Sequence, residues 1–518
     1  MPEAGRVERP TTLESLIGVL SSWRLLSVAL LSFPSGLPLG LVWIAIPTWM
    51  ATVGVDIKVI GLFTLAQAPW TFKVLWAPFM DRYPLPFLGR KRGYILAAQL
   101  VLLALGLWLA AESGRPEPLT IGAITLAIAF ASASQDIAYD AYTVEVLRRE
   151  EQGPAVGARV ALYRAAMWLS GRLTITAAAA VGWPVVNAVA AFAYLPAAVV
   201  TWRAPEPESV PEAPATLRQA VWEPFLGLLA KHRALEVLAF VVLFKLSDLV
   251  TQSLIGPFLV QKGYDAVDVG VAAGTVSLLT IVAGTFLGGV LTQARGLGPA
   301  LWISGLLQLF SNLGYAVVAE IGVNRPVMYA AQGFEYLCSG LGNGAFGVLL
   351  LRLTQRRFSA TQYALLSSLF SVPRVIAGPP AGLLADALGW RDFYISTLVM
   401  GIPGLLMLQR FVPWGVREPE FGVEAVRGEA MGAGAIVTRA GLAFGGALAL
   451  CAVSLAGVSA IKDFRAGRAF DFLPALVDLL RPDSLGMWVS TMGVVVVAAG
   501  AGLGTAAALA ARGRPASE

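Results

Sequence analysis

The sequence predicts an all-α, polytopic membrane protein whose chain crosses a bilayer fourteen times. Of its 518 residues, 57% are hydrophobic and only 14% are charged, and the mean hydropathy is +0.69. A soluble protein carries about 25% charged residues, whereas a membrane helix needs about 20 apolar residues in succession. Apolar segments of that length recur along the whole chain. The predicted spans are 25–51, 59–79, 93–111, 119–147, 158–181, 184–202, 235–261, 269–294, 299–320, 326–353, 361–387, 393–410, 435–460 and 486–510.

The distribution of Lys and Arg predicts the orientation of these spans. With the N-terminus in the cytoplasm, 24 of the 38 cations, including Arg159, lie in cytoplasmic segments and 9 lie in outer loops. Cytoplasmic loops carry an excess of Lys and Arg, so both termini are expected in the cytoplasm. The outer loop 461–485 holds four of the nine outer cations and is the weakest part of this topology. The other five cations fall within predicted spans and are Lys73, Arg164, Arg172, Lys245 and Arg374.

The composition argues against an enzyme, a metal site and a bound cofactor. The chain has one histidine, His232 in a polar loop, and two cysteines, Cys338 and Cys451, which lie far apart in apolar segments. No nucleophile–base pair or cluster of metal ligands is visible. The cytoplasmic loops account for the net charge of +5, so no nucleic-acid partner is expected. The first 24 residues lack the apolar core of a cleavable signal peptide.

An internal repeat divides the membrane segments into two halves. Arg164 recurs as Arg374, and Gly182-Trp183 recurs as Gly389-Trp390, at offsets of 207–210 residues. Between the halves, a Pro/Glu-rich stretch and an amphipathic stretch form a polar interruption. Two matched six-helix bundles are the arrangement of the major facilitator fold, whose halves rock about a site at the bilayer midplane. The predicted regions are a cytoplasmic tail at 1–24, bundles at 25–202 and 235–410, linkers at 203–234 and 411–434, and two further membrane helices with a tail at 435–518.

The loop after the second span contains a short charged motif. Asp81-Arg82 is followed, after a Pro-rich insertion, by Gly89-Arg90-Lys91-Arg92. This pattern resembles the major facilitator signature between the second and third helices. The resemblance implies that Asp81, Arg82, Gly89 and Arg90 form a conformational latch between the half-bundles. The alternative is an ordinary basic cytoplasmic loop.

Five further stretches, in order along the chain, are similar to the AmpG-type muropeptide permeases of bacterial inner membranes. They are FPSGLP at 33–38, IGLF through KVLWAP to DRY at 60–83, SASQDIAYDAY at 132–142, FKLSD at 244–248 and FSATQYALLS at 358–367. The resemblance implies proton-driven import of anhydromuropeptides, which are cell-wall fragments with an anhydro-sugar and a peptide tail. Members of this family often carry two additional helices, as the spans at 435–510 predict.

Acidic side chains inside predicted spans are the candidates for proton coupling. An unpaired charge at the bilayer centre costs at least about 2.5–3.5 kcal/mol, so such residues mark pathways or proton sites. Asp136 and Asp140 lie one helical turn apart on one face. Glu335 and Asp248 are the rivals in the second half. The alternative is ion pairing that fixes helix packing, for which Lys245, three residues before Asp248, is a ready partner.

A muropeptide needs cations for its carboxylates and amides or hydroxyls for its sugars. Arginine suits carboxylates through bidentate hydrogen bonds. The predicted substrate-binding residues are Lys73, Gln135, Tyr139, Tyr163, Arg164, Lys245, Gln252, Gln332 and Arg374. Trp70 and Trp168 are candidates for stacking on a sugar ring, although lipid-facing or core packing is the alternative for each.

Two other functions stay open from the sequence. One is import of another large polar solute, such as a siderophore or acetyl-coenzyme A. The other is a membrane sensor or scaffold that does not transport. In the leading interpretation the partners are a small-molecule substrate, protons and the lipid bilayer, and the protein acts as a monomer.

Overall fold

The computed structural model describes residues 22–56, 63–85, 87–208, 212–229, 234–419, 431–465, 467, 473–474, 476–477, 481 and 485–510. Within those residues all regular structure is helical, which confirms the all-α fold class. Within the described residues, helices lie in each of the fourteen predicted spans, and ten of these helices are long and apolar enough to cross a membrane.

The first six membrane helices are followed by a helix in the linker. They are α1 (Trp23–Thr52), α2 (Phe63–Gln67, Ala68–Phe72, Lys73–Leu75 and Ala77–Arg82), α3 (Arg92–Glu112), α4 (Pro118–Val146), α5 (Gln152–Trp168, Leu169–Leu173 and Thr174–Val181), α6 (Trp183–Arg203) and the linker helix α7 (Leu217–Leu229).

Eight helices follow the linker. They are α8 (Ala234–Leu243 and Leu246–Gln261), α9 (Ala266–Val271, Ala272–Val276 and Ser277–Arg295), α10 (Leu297–Ile321), α11 (Arg325–Leu353), α12 (Ser359–Leu388), α13 (Trp390–Phe411), α14 (Ala433–Arg465) and α15 (Leu485–Ala510).

The chain forms two compact units. One comprises Met1–Ala220 with Glu236–Glu420, and the other comprises Val221–Leu235 with Phe421–Glu518. The first unit contains the two six-helix halves, α1–α6 and α8–α13. In the second unit α14 and α15 pack along each other, with Gly502 facing Phe444. The finer domain boundaries given above remain predictions.

Backbone geometry repeats between the halves at the spacing that the sequence predicts. Gly182 separates α5 from α6 with φ +83°, and Gly389 separates α12 from α13 with φ +78°. Gly89 precedes α3 with φ +70°, and Gly296 precedes α10 with φ +95°. Both pairs are 207 residues apart. A positive φ favours glycine because other residues carry a Cβ that clashes. The same chain reversal is therefore encoded twice.

Each half has its own apolar core. In the first half, Trp49 stacks on Trp183 with ring centroids 5.0 Å apart. In the second half, Phe258, Tyr315 and Tyr394 form a ring cluster with centroids 5.0–6.3 Å apart. Each cluster draws its residues from one half only, so a change in the contact between the halves leaves both clusters packed.

The halves meet where α5 crosses α9 and where α12 lies beside α2 and α4. Glycines allow close approach at the first crossing, because a Cβ on Gly153 would lie 3.3 Å from Gln293 Cβ. Small residues let helix backbones pack closely in membranes. This crossing is near one end of the bundle, which we call the Asp81 end because α2 ends and α12 begins there.

Prolines in α1 free a backbone carbonyl toward the neighbouring helix. Pro38 has no N–H to donate to the carbonyl of Pro34, four residues earlier. That carbonyl instead accepts a hydrogen bond from the Tyr194 hydroxyl of α6 at 3.4 Å. The helix remains continuous through both prolines and widens into a π-helical turn at Leu41–Ala45. Ser35, between the prolines, lines the cavity described next.

Candidate functional site

A cavity of about 260 Å³ lies between the two halves. Its walls come from α1, α2, α4 and α5 of the first half and from α8, α9, α11 and α12 of the second. The lining is rich in polar and charged side chains. These are Ser35, Lys73, Asp136, Tyr139, Asp140, Arg159, Tyr163, Arg164, Lys245, Asp248, Gln252, Ser339, Asn343, Tyr363 and Ser367.

Asp140 is held between two cations from different helices. Lys73 Nζ of α2 lies 3.2 Å from Asp140 Oδ2, and an Arg159 guanidinium nitrogen of α5 contacts Oδ1. A 3₁₀ turn at Lys73–Leu75, followed by Pro78, breaks α2 and buries the Lys73 side chain against the cavity. Desolvation costs each of these ions several kcal/mol, which the shared carboxylate offsets.

Arg159 also joins the two halves. Its guanidinium lies 4.9 Å from the Tyr139 ring centroid in the first half and 5.8 Å from that of Tyr363 on α12. A guanidinium over an aromatic face is attracted by the ring quadrupole. The cation count assigned Arg159 to the cytoplasmic boundary, and this was wrong as to its environment, since α5 begins at Gln152 and carries Arg159 into the bundle.

Asp136 has a different environment from Asp140. Its carboxylate lines the cavity and accepts a hydrogen bond from the Ser35 hydroxyl of α1. Among the described residues, no Lys or Arg nitrogen lies within ion-pair distance of it. One turn of α4 thus presents an acid with two cationic partners and an acid with a neutral partner to the same cavity.

In the second half, Lys245 is buried with three acceptors. Its Nζ lies 2.9 Å from Asp248 Oδ2, 2.8 Å from Gln308 Oε1 and 3.2 Å from the Ser339 carbonyl. The Ser339 hydroxyl also donates to Asp248 Oδ2 at 2.8 Å. A lysine ammonium has three donors, so Lys245 has none left for a ligand in this conformation.

Glu335 lies behind the wall of the cavity. It is 0% exposed, and its Oε1 accepts from Gln252 Nε2 at 3.1 Å. Its Oε2 has no hydrogen-bond partner, and no cation among the described side chains forms an ion pair with it. Gln252 itself lines the cavity and also donates to the Ser339 hydroxyl at 3.1 Å.

The remaining predicted ligands differ in their access to the cavity. Tyr163 and Arg164 line it, and Tyr139 does so while donating its hydroxyl to the Val28 carbonyl at 2.6 Å. Gln135 and Gln332 do not line it. Gln135 is fully buried, and Gln332 is bound by Tyr315 and Ser277 at 2.8 and 2.7 Å. The side chain of Arg374 lies outside the described part of the structure.

At the Asp81 end, Asp81 joins the two halves. It is fully buried, and its Oδ2 accepts from the Thr361 backbone N–H at 2.8 Å and from the Thr361 hydroxyl at 2.7 Å. Lys91 Nζ lies 2.7 Å from Asp81 Oδ1, and an Arg90 nitrogen lies 3.3 Å from it. The carboxylate therefore caps α12 at its positive end.

The four residues predicted for the latch take different positions. Arg90 contacts Asp81 and also donates to the Arg357 carbonyl of the second half at 2.8 Å. Gly89 supplies the left-handed backbone that returns the loop. Arg82 instead lies over the Tyr83 ring, 5.0 Å from its centroid. Lys91, which the sequence interpretation left out, is the closest cation to Asp81.

Further contacts close the Asp81 end. The Ser359 hydroxyl of α12 donates to Glu145 Oε1 of α4 at 2.6 Å, and Arg356 donates to the Leu147 carbonyl at 3.3 Å. In the linker after α6, hydrogen bonds from Arg148 and Arg24 lower the pKa of the Glu208 carboxyl below its ordinary value. Charged groups therefore make contacts at this end both within the first half and between the halves.

Comparison with known proteins identifies the family. The profile of the Major Facilitator Superfamily matches residues 28–359. The anhydromuropeptide permease of Escherichia coli (strain K12) is 41% identical over 385 residues, which cover 73% of this chain and 78% of that protein. This chain belongs to the AmpG-type muropeptide permease family of the Major Facilitator Superfamily. It is a multi-pass membrane transporter and not an enzyme.

Other AmpG-type relatives and solved structures agree with this family and fold. "Putative transporter AmpG 4" of Rickettsia felis is 27% identical and covers 75% of this chain and 97% of that protein. The proton:xylose symporter XylE superposes with a TM-score of 0.56 at 12% identity, covering 77% and 98% of the two chains. FucP, a major facilitator transporter in the outward conformation, gives a TM-score of 0.59 at 13% identity, covering 74% and 98%. The AmpG-type chain thus has the predicted major facilitator fold.

Proposed function

We propose that this protein imports anhydromuropeptides across the bacterial inner membrane, driven by protons. We further propose that it works as a monomer in the lipid bilayer with both termini in the cytoplasm. The 41% identity to a protein named anhydromuropeptide permease supports the substrate class. The distribution of cations, which is 23 to 9 once Arg159 is placed in the bundle, supports the orientation.

The charge of the cavity is the observation that carries this proposal. Four cations line it (Lys73, Arg159, Arg164 and Lys245), against three acids (Asp136, Asp140 and Asp248). Lys245 is balanced by Asp248, so the surplus lies in the first half, where two cations share Asp140. Such a surplus favours an anionic solute, and the carboxylates of an anhydromuropeptide meet that need. Charge-assisted hydrogen bonds to these cations would hold it.

Arg164 and Lys73 are the proposed carboxylate ligands. Arg164 lines the cavity without a hydrogen-bond or ion-pair partner among the described residues, so its donors are available. Tyr163 and Gln252, which also line the cavity, offer neutral groups to sugars. Gln135 and Gln332 are weaker candidates, because they would need a different conformation to reach the cavity. Arg374 stays a predicted ligand whose side chain lies outside the described residues.

Asp136 and Glu335 are the proposed proton carriers. A carboxylate with cationic partners stays ionised, whereas a buried one without them is neutral at lower cost. Asp140 meets the first description, and Asp136 and Glu335 meet the second. Asp136 faces the cavity directly, and Gln252 connects Glu335 to it. A proton crossing roughly 150 mV releases about 3.5 kcal/mol. The potential acts on the net charge that moves, so it drives accumulation only when protons outnumber the ionised carboxylates of the solute, and otherwise the pH gradient drives it.

The contacts at the Asp81 end support an alternating-access cycle. Asp81, Arg90 and Glu145 tie the halves together at the end that the cation distribution assigns to the cytoplasm. A ligand would then enter the cavity from outside. Separation of these contacts would release it inward, with Asp81 leaving Thr361 and Arg159 leaving Tyr363.

Uptake into right-side-out membrane vesicles tests the proposal. We expect radiolabelled anhydromuropeptide to accumulate in vesicles containing the protein, and a protonophore to abolish the accumulation. Vesicles without the protein are the control. Uptake that is insensitive to the protonophore would refute proton coupling. Uptake of a siderophore or acetyl-coenzyme A in its place would reassign the substrate, and ligand binding without any uptake would indicate a sensor.

A further inference from the structure

A second cavity opens between the halves at the end opposite Asp81. It has a volume of about 280 Å³. From α5 it is lined by Trp168, Arg172 and Thr176, and from α9 by residues that include Gly270 and Thr275. Among the described residues that line it, Arg172 is the one that carries a charge. The cavity is built from both halves, so its shape changes whenever the halves move relative to each other.

Two π-helical turns face each other across this cavity. One is Leu169–Leu173 of α5, and the other is Ala272–Val276 of α9. Such turns are rare and occur frequently at functional sites. Arg172 lies in the first, and its guanidinium packs against Gly274 in the second. A Cβ on Gly274 would lie 3.4 Å from the guanidinium Cζ, which is van der Waals contact, so the two groups lie side by side.

The Arg172 side chain has donors to spare. Arg172 is exposed, and among the described residues no hydrogen bond or ion pair to its guanidinium is present. A guanidinium presents five N–H donors in a planar fork that matches a carboxylate. Trp168 beside it offers an aromatic face, and the exposed Thr176 hydroxyl lies next to it, donating to the Arg172 carbonyl at 3.3 Å.

Arg172 is also the outermost of three cations along α5. Arg159 and Arg164 line the central cavity, and Arg172 lies eight residues beyond Arg164. At 1.5 Å per residue, Arg159 and Arg164 are about 8 Å apart along the helix, and Arg164 and Arg172 are about 12 Å apart. The π-helical turn after Trp168 contains one residue more than an α-helical turn. The extra residue keeps Arg172 on the side of α5 that faces α9.

We propose that Arg172, Trp168 and Thr176 form an entry site for carboxylate-bearing ligands. The site binds a ligand carboxylate at the outer mouth, and the ligand then passes along α5 to Arg164 in the central cavity. This inference rests on the proposed import function for the direction of passage. The site lies outside the central cavity. Its ligands are amphipathic molecules that carry a carboxylate.

Thiol reactivity at Thr176→Cys measures the site without knowledge of the transported substrate. The background carries Cys338→Ala and Cys451→Ala, because these are the two natural cysteines. The protein is reconstituted in phosphatidylcholine vesicles. We then compare modification rates by the anionic sulfonatoethyl and the cationic trimethylammonioethyl methanethiosulfonates. We expect Arg172→Gln to lower the anionic-to-cationic rate ratio roughly tenfold. Arg391→Gln, which removes an exposed cation outside the cavity, is the matched control.

Protection and transport complete the test. Anhydromuropeptide should slow modification of Thr176→Cys when Arg172 is present and not in Arg172→Gln. In uptake assays, Arg172→Gln should raise the half-saturating concentration roughly tenfold, with the maximal rate unchanged. This factor corresponds to the loss of one charge-assisted hydrogen bond. An unchanged rate ratio, or an equal effect of Arg391→Gln, would overturn the site. Anion preference and protection without any uptake would instead support the site and refute the import function.

Discussion

Asp81 of α2 and Thr361 of α12 are joined by two hydrogen bonds, one to the Thr361 backbone N–H and one to its hydroxyl. The contact crosses from one half of the bundle to the other. It places a buried carboxylate at the N-terminus of α12, while Lys91 and Arg90 balance its charge from the first half. Asp81 therefore stabilises the conformation that is closed at this end, because its partners come from both halves.

Asp81→Asn should favour the conformation that is open at this end. The amide keeps the size of the side chain but loses the charge that binds Lys91 and caps α12. The loss of one charge-assisted hydrogen bond is about 1.5 kcal/mol, or roughly tenfold in the equilibrium. The rate of disulfide formation between Glu145→Cys and Ser359→Cys, whose native side chains are in contact, reports the population of the closed conformation and should fall, by at most that factor.

Arg82→Gln is the matched control for this prediction. Arg82 is adjacent in sequence but lies on Tyr83 and does not contact Asp81 in this conformation. In the background of the two introduced cysteines, Arg82→Gln should leave the rate of disulfide formation unchanged. Equal rates in Asp81→Asn and the parent would show that the Asp81 contact does not set the equilibrium.

Asp140→Asn should lower thermal stability and abolish accumulation of the substrate. It leaves Lys73 and Arg159 beside each other without their shared carboxylate. Removing one partner of a buried ion pair costs about 3 kcal/mol. Adding Lys73→Met removes one unpaired cation, so the double variant should recover part of the stability without recovering accumulation. Thermal unfolding of the purified variants measures the first effect, and vesicle uptake measures the second. A double variant less stable than Asp140→Asn would contradict the pairing.

The membrane helices were predictable from sequence because a long apolar segment has few alternatives to a spanning helix. The sequence predicted that Asp140 either couples protons or pairs with a cation, because a buried acid needs a partner, but it did not single out Lys73. Arg159 was missed because the apolar pattern of α5 weakens before residue 160, where Gly153 and Gly157 contact the other half. Packing between halves, and not hydropathy, keeps that turn inside the bundle.

The latch shows a second limit of sequence reasoning. Asp81 and Arg90 were predicted, but Lys91 was not distinguished from its basic neighbours. Leu88 and Gly89 have φ of +55° and +70° and reverse the chain before α3. The angle of that reversal determines which basic side chain points back to Asp81. A motif fixes the residue types but not this angle.

Gly89→Ala should destabilise the loop that returns Arg90 and Lys91 to Asp81. The left-handed backbone costs an L-residue about 1–2 kcal/mol. A Cβ there would also lie 2.9 Å from the Glu206 carboxylate. Gly114→Ala is the control, because its Cβ would meet nothing within 4 Å and its φ is not positive. We expect a lower thermal unfolding midpoint for Gly89→Ala only. Equal midpoints for the two variants would contradict the strain.

Glu335→Gln should separate transport from its driving force. Glu335 is fully buried, and its Oε2 has no hydrogen-bond partner, so a permanently neutral glutamine replaces the protonated form with little change in shape. The variant should still exchange labelled for unlabelled substrate across vesicle membranes. It should no longer accumulate substrate against a gradient. Its exchange rate should change less between external pH 5.5 and 7.5 than that of the parent, because Asp136 is the one proposed carrier that remains. Glu320→Gln, at an exposed acid at the end of α10, should behave as the parent. If Glu335→Gln accumulates substrate normally, the proton is carried elsewhere, and Asp136→Asn becomes the variant that must lose accumulation while retaining exchange.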